Sequence, residues 1–401
     1  MRISTSLLFN QSLNRMLDLQ TDVARYNEQV STGRRVRAPS DDPSVAARVV
    51  EIDDRVSTLE QYQRNIDAVR ARLTGQESAL DTTQDLFARV KELILQGKNG
   101  SLANSDRRAL AAELRERLNE LVDVSNSRNE SGEFIFAGSR VGVQPFTRDA
   151  SGTVQYNGDQ SGREIKVSDT RRVREGFSGF EVFVGVRNGN GTFQNDIDPA
   201  NTGSGRIVPL AVTDPTAFVP DDFAIVFTAP DSYDVINEST GATVLAAQPF
   251  VEGAAIAFNG IEVAVEGAPE TGDRFTVTPS RNQSVFETLS QVISALDTGY
   301  IDPASQARFT QTMDNAIDET DAAIEKMLEV RAGIGGRLNA IDSQQNANED
   351  FVVQLAAAKS SFQDVDLVEA VSRLTRATTT LQAAQATFAR VQGLSLFNFL
   401  R

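Results

Sequence analysis

The chain has no cysteine, no histidine and no tryptophan among its 401 residues. Without Cys or His it lacks a thiolate nucleophile, an imidazole base and both soft metal ligands. Chemistry on carboxylates or on Ser and Lys stays open, but no residue pattern asks for a cofactor or a metal. Disulfides are impossible, so stability must come from packing. Nothing could cross-link such a chain in a narrow export channel. No run of 18 apolar residues occurs, and the first thirty residues read as an amphipathic helix rather than a cleavable leader. Composition alone suggests a cytoplasmic protein. If the chain is exported, the route must leave its N-terminus uncut.

Charge is abundant but one-sided. The net value is −16, yet residues 1–40 hold six Arg against Asp18, Asp22 and Glu28. Residues 366–401 hold Arg373, Arg376, Arg390 and Arg401 against Asp366 and Glu369. The body is therefore acidic and the two ends mildly basic. An acidic body repels phosphates, so nucleic-acid binding is not expected. The plain reading of this bias is a solvated acidic surface.

Gly and Pro are dense only between Val141 and Pro279. That stretch carries the turn dipeptides Asn157-Gly158, Asn188-Gly189 and Asn259-Gly260, and strand-like runs at 154–156, 223–228, 256–258, 261–265 and 275–278. An inserted all-β domain over 141–280 is expected. The flanks are helical. From Val45, steps of seven reach Ile52, Leu59, Ile66, Leu73, Leu80, Phe87 and Ile94, all apolar. Gln76 and Thr83 interrupt the intermediate row. After the β segment a second ladder runs through Phe309, Ala316, Ala323 and Val330, with Met313, Met327, Ile334 and Ile341 alongside. Its continuation turns polar between Arg337 and Asn348. Seven-residue ladders keep one face toward a partner helix. The two long helices, coming from opposite ends of the chain, should pack antiparallel. A shorter helix capped by Ser105 and another over Val285–Leu296 would complete the bundle.

The extreme ends repeat the pattern. Phe9, Leu13, Met16, Val23 and Val30 alternate in steps of four, three and seven, while Leu367, Leu374, Leu381 and Phe388 step by seven beside Val371 and Val391. Leu394, Leu396, Phe397, Phe399 and Leu400 then follow in a nearly uncharged tail. No neighbouring element is evident to cover either helix. Isolated helices of this kind are marginal in water, and so apolar an end needs a partner to bury it. The two ends read as surfaces that order on assembly.

Sharper chemical readings give way to plainer ones. Asp41 and Asp42 before Pro43 suit the start of a helix better than an acid site. Asp196 and Asp198 lack the spacing and terminal Glu of a calcium loop. Gly333, Gly335 and Gly336 lie inside a helical ladder with no strand before them, so they suit close helix approach or a flexible point rather than a phosphate cradle. The rival function is an enzyme working on two carboxylates of the β insertion, such as a glycosidase, but no motif points to it.

Both ends resemble the flagellin superfamily. Ser31-Thr-Gly-Arg-Arg-Val-Arg-Ala-Pro-Ser-Asp-Asp-Pro43 resembles the passage from the first terminal helix into the helical body. Arg331-Ala-Gly-Ile-Gly-Gly-Arg-Leu-Asn339 and Asp364-Val-Asp366 resemble the returning helices. Gly132-Glu-Phe134-Ile-Phe136-Ala-Gly138-Ser139, with Pro145 and Phe146, is similar to the hook–filament junction branch, hook-associated protein 3 of the FlgL type. So is the exit segment Gly272–Ser280. The resemblance covers roughly residues 1–160 and 265–401.

The fold expected is α+β and multi-domain, a long antiparallel helical coiled-coil bundle built from both chain ends around an inserted all-β domain. Its expected layers are terminal helices 1–40 and 364–401 (a polymer core, disordered in the free chain), a helical rod 41–140 and 281–363, and an outer β domain 141–280. The resemblance implies a non-enzymatic structural subunit of the flagellum, outside the cell and exported by the flagellar type III route. It also implies a homo-oligomeric collar, neighbours of the FlgK type and flagellin, and an export chaperone of the FlgN type. Flagellin itself is the alternative, and a type III needle or phage-tail protein a more distant one.

Overall fold

The structure, a computed structural model, describes residues 5–397. It forms two compact units, one from residues 1–64 with 344–401 and the other from 65–343. In chain order come α1 (Thr5–Thr32), α2 (Pro43–Gly97) and α3 (Asn104–Ser125). Short strands follow: β1 (Phe146–Arg148), β2 (Val154–Tyr156), β3 (Glu164–Lys166) and β4 (Arg172–Arg174). After a π-helical turn at Phe180–Val184 come β5 (Val186–Arg187), β6 (Phe193–Ile197), β7 (Arg206–Val212), β8 (Phe223–Ala229) and β9 (Ser232–Asn237). The β segment ends with β10 (Ala242–Pro249), β11 (Ala255–Phe258), β12 (Ile261–Glu266), β13 (Arg274–Pro279) and β14 (Asn282–Gln283). Then α4 (Val285–Thr298), α5 (Pro303–Gln363) and α6 (Leu367–Phe397) close the chain.

The expected antiparallel pairing of α2 with α5 is present. Lys91 meets Asp321 at 2.6 Å, and seven residues further on Lys98 meets Asp314, seven residues back along α5. The ladder runs along the same pair of helices. Ile66, Leu73, Leu80, Phe87 and Ile94 are buried against Met313, Met327, Ile334 and Ile341 in one core, which α3 and α4 complete. Each fully buried Leu, Ile or Phe contributes about 1.5–3 kcal/mol, so the ladder is the main cohesive feature of this unit.

Helix starts follow local chemistry. Pro43 opens α2, and Asp42 Oδ1 accepts the N–H groups of Ser44 (3.1 Å) and Val45 (3.2 Å). The Ser44 hydroxyl on the same oxygen is the main reason this carboxyl stays below its ordinary pKa. Asp41 Oδ2 accepts from Arg37 and Ala38 in the same way. Asp42 therefore caps the helix, while Asp41 closes the turn before it. The expected Ser105 cap is replaced. Ala103 precedes α3, and its N–H donates to Asp106 Oδ2. Ser284 caps α4, accepting from Phe286 N at 3.3 Å.

The β segment is not the single domain expected from 141 to 280. Residues Phe146, Val167, Val173, Val182, Phe183 and Val186 pack into the helical core, so the β1–β2 and β3–β4 hairpins belong to the bundle. A separate core, including Phe193, Ile225, Phe227, Val263 and Phe275, lies within a five-stranded antiparallel sheet (β10-β9-β8-β13-β6) and a three-stranded one (β11-β12-β7). The boundary falls near residue 190 because the aromatic side chains before it find partners on α4. Phe146 stacks on Phe286 at 5.0 Å and Phe183 on Phe286 at 6.0 Å. The Asn259-Gly260 turn closes the β11–β12 hairpin as expected, with both residues at positive φ. The strands entering and leaving the β domain, β5 and β14, pair with each other as its neck.

Candidate assembly surface

In the unit formed by 1–64 and 344–401, α1 and α6 lie side by side. Phe9 meets Phe388 with ring centroids 5.2 Å apart. Met16, Val23 and Val30 of α1, and Leu374, Leu381 and Phe388 of α6, are half-buried along this seam. The sequence showed no cover for either helix; the structure supplies one, since each covers the other. The turn between α1 and α2 is tied to the turn between α5 and α6. Val365 N donates to Gly33 O (2.9 Å), Arg35 N to Gln363 O (2.8 Å) and Arg35 Nη2 to Phe362 O (2.8 Å). Gly33 takes a φ of +70°, which glycine adopts without strain.

The seam does not use all of the apolar surface. Phe9, Leu13 and Leu17, spaced four apart on α1, stay exposed, as do Leu367, Val368 and Val371 at the start of α6. Val368 keeps 83% of its surface in water. A helix pair buried on one face and apolar on another still has a surface to cover. Arg25 pairs with Asp22, and Arg373 with Glu369, on the polar faces. The side chains of Val391, Leu394, Leu396 and Phe397, and all of Phe399 and Leu400, lie outside the described residues.

The Gly132–Ser139 segment is internal to the other unit. Phe134, Phe136 and Phe146 are buried, and Arg128 lies over the Phe134 ring at 4.0 Å. Gly132 and Gly138 have φ of +79° and +67°. A Cβ on Gly138 would come within 2.3 Å of Asp159 O. Asp159 in turn accepts from Ser139 N, and that hydroxyl and backbone pairing holds its carboxyl below the usual range. Pro145 O accepts from Asn157 N at 2.7 Å. These residues shape the bundle and are not an exposed site.

A cavity of about 910 Å3 lies beside this segment. Its buried carboxylate, Glu175, is tied to Arg163 at 2.8 Å, and Glu133 to Arg72 at 3.2 Å. Such pairing makes structural ion pairs rather than a proton donor beside a free base. Asp196 lies in β6 opposite Thr276, and Asp198 caps Ala200 N. No cluster of three acidic, His or Cys side chains suited to a metal occurs among the described residues. Among them, too, no helix is long and apolar enough to cross a membrane.

Comparisons with known proteins agree with this arrangement. The bacterial flagellin N-terminal helical region matches residues 3–140, and the C-terminal helical region residues 317–400. The D2-like domain of flagellar hook-associated protein 1 matches residues 197–279, the separate β core. Flagellar hook-associated protein 3 of Escherichia coli K12 is 23% identical over 401 residues, 99% of each chain. The crystal structure of Xanthomonas campestris FlgL is 31% identical, with a TM-score of 0.71 over 77% of this chain and 99% of that one. The chain belongs to the FlgL family of flagellar hook-associated proteins. The flagellar junction protein FlgL of Legionella pneumophila is also similar, at 30% identity and a TM-score of 0.69, over 79% of this chain and 99% of that one. FlgL-type chains therefore share both the helices and the β domain with this protein, not the terminal helices alone.

Proposed function

We propose that this chain is a structural subunit joining the flagellar hook to the filament, and that it works by assembly rather than by catalysis. One observation carries the reading. The similarity to the junction proteins spans nearly their whole length, including the β domain that lies between the flagellin-like helical regions. The paired α1 and α6 supply the means. In the collar, the exposed rows Leu13–Leu17 and Leu367–Val368–Val371 are covered by neighbouring copies. The half-buried seam holds the two helices of one copy together. The outer rows hold copies to one another.

The layers follow from this role. Terminal helices 1–40 and 364–401 form the inner tube, ordered fully only in the polymer. The helical body surrounds them, and the β domain lies outermost. The collar is homo-oligomeric, with a FlgK-type neighbour on one side and flagellin on the other. A FlgN-type chaperone holds the C-terminal helix before export through the flagellar type III route, outside the cell. Deleting the gene tests the reading. Hooks without filaments, with flagellin released into the medium, are expected. Loss of flagellin as well as filament would instead identify the chain as the filament subunit.

A further inference from the structure

The neck of the β domain is a polar network built on one buried acid. Asn188, at the end of β5, donates from its side chain to Gln283 Oε1 (3.2 Å), and its own Oδ1 accepts from Arg281 N (2.7 Å). Gln283 then donates to Glu319 Oε2 on α5 at 2.8 Å. The Thr288 hydroxyl on α4 donates to the same oxygen at 2.6 Å. A single carboxyl thus joins the neck strands to both helices beneath them. Glu319 keeps only 5% of its surface in water.

The charged groups that face this carboxyl are Glu287 on α4, Asp318 on α5 and Asp196 on β6, all acidic. Lys91 and Lys98, the nearby cations of α2, are engaged by Asp321 and Asp314. An ionised Glu319 would be desolvated, without an ion-pair partner among the described residues, and repelled by three acids. Burial is the chief cause that pushes its pKa up to about 7, offset in part by the Thr288 hydrogen bond and reinforced by Glu287.

We propose that Glu319 is a proton-operated latch on the neck: protonated, it holds β5 and β14 to α4 and α5, and loss of the proton loosens the attachment of the β domain. The inference stands on the geometry of residues 65–343 and does not need the junction reading. Its sign follows from linkage. A carboxyl whose folded pKa lies above its unfolded one binds more protons when folded, so stability falls as pH rises between the two values. The window runs from the ordinary carboxyl value of 4.5 to about 7. No His or Cys titrates in this window, and the neighbouring carboxyls that burial also raises, Asp196 and Asp318, leave Glu319→Gln as the control that isolates this group. Ordinary side chains other than His and Cys titrate below about 5 or above about 10.

The test uses the full chain and measures amide exchange at residues 186–188 and 281–283, as protection relative to the free peptide, across the window. Protection should fall on the order of 50- to 100-fold between pH 5 and pH 8. Glu319→Gln, the neutral isostere, should hold that dependence to about threefold or less. A fall smaller than threefold in the unaltered protein, or an equal fall in the variant, overturns the latch. Should Glu319→Gln not fold, Thr288→Val decides. Removing the donor that favours the ionised form must move the midpoint of the fall to higher pH. An unmoved midpoint also overturns it.

Discussion

The Gln76 side chain holds Phe177 from both directions, donating to Phe177 O at 2.8 Å and accepting from Phe177 N at 3.0 Å. It also donates to Ile135 O at 2.7 Å, from a position with no exposed surface. In the sequence Gln76 looked like a gap in a hydrophobic row. In the structure it joins α2 to two irregular segments whose backbone groups have no sheet or helix to satisfy them.

Gln76→Leu should therefore destabilise the unit 65–343 although Leu suits the ladder. Phe177 N and O would lose this partner and Ile135 O would keep only Arg72 Nη2 at 3.4 Å, at a cost of about 2 kcal/mol or more. The check is the denaturant midpoint of the purified protein. A midpoint equal to that of the parent would mean the clamp contributes nothing.

The three glycines of α5 should respond with opposite signs. A Cβ on Gly333 would stand 2.8 Å from Phe177 Cζ, on a ring over which the Arg337 guanidinium lies at 4.0 Å. Gly333→Ala should cost about 1–2 kcal/mol through this overlap. Gly335 and Gly336 meet nothing within 4 Å. Replacing either with Ala should stabilise by about 0.5–1 kcal/mol through helix propensity. Thermal unfolding of the three variants side by side gives the comparison.

Asp273 is the local anchor of the β domain. It is buried, and its carboxylate accepts N–H groups from Thr202 (2.9 Å), Gly203 (3.1 Å) and Glu270 (2.9 Å). Asp273→Ala should melt the sheets while leaving the helices, a loss of about 3 kcal/mol or more. Amide exchange should rise in residues 193–279 and stay slow in α2 and α5. Uniform acceleration everywhere would show that the β core is not separately cooperative.

The seam and the outer rows of the terminal helices should separate by substitution. Leu381→Asp or Phe388→Asp places a charge between α1 and α6 and should abolish both their pairing and filament growth. Leu13→Asp or Val371→Asp lies on the exposed rows. It should leave the pairing within one chain intact, as read by helical content, yet still block assembly and motility. Normal swimming in the second group would remove these rows from the assembly surface.

Periodicity determined the helical half of the protein. The ladder of eight positions from Val45 to Ile94 placed α2, and the row from Phe309 to Ile341 placed α5. Their pairing followed because a seven-residue apolar repeat turns one face to a partner helix, and the antiparallel direction because the two helices come from opposite ends of the chain. The Asn259-Gly260 turn, and with it β11 and β12, was legible because only certain residues tolerate positive φ. Strand β10 was not. Its sequence, Ala242 to Pro249, is rich in alanine and mostly exposed, so no alternation marks it.

What tertiary structure alone decided is who covers whom. Sequence could say that α1 and α6 each carry an apolar stripe, but not that each shields the other and leaves Leu13, Leu17 and Val368 in water. Nor could it show that the β1–β4 hairpins pack on the bundle while the later strands build a core of their own. Gln76 and Glu319 were invisible for the same reason. A periodic pattern reports which face of an element is apolar, whereas a buried polar side chain is justified only by partners distant in sequence. Those partners, Phe177 for one and Gln283 and Thr288 for the other, exist only once the chain has folded.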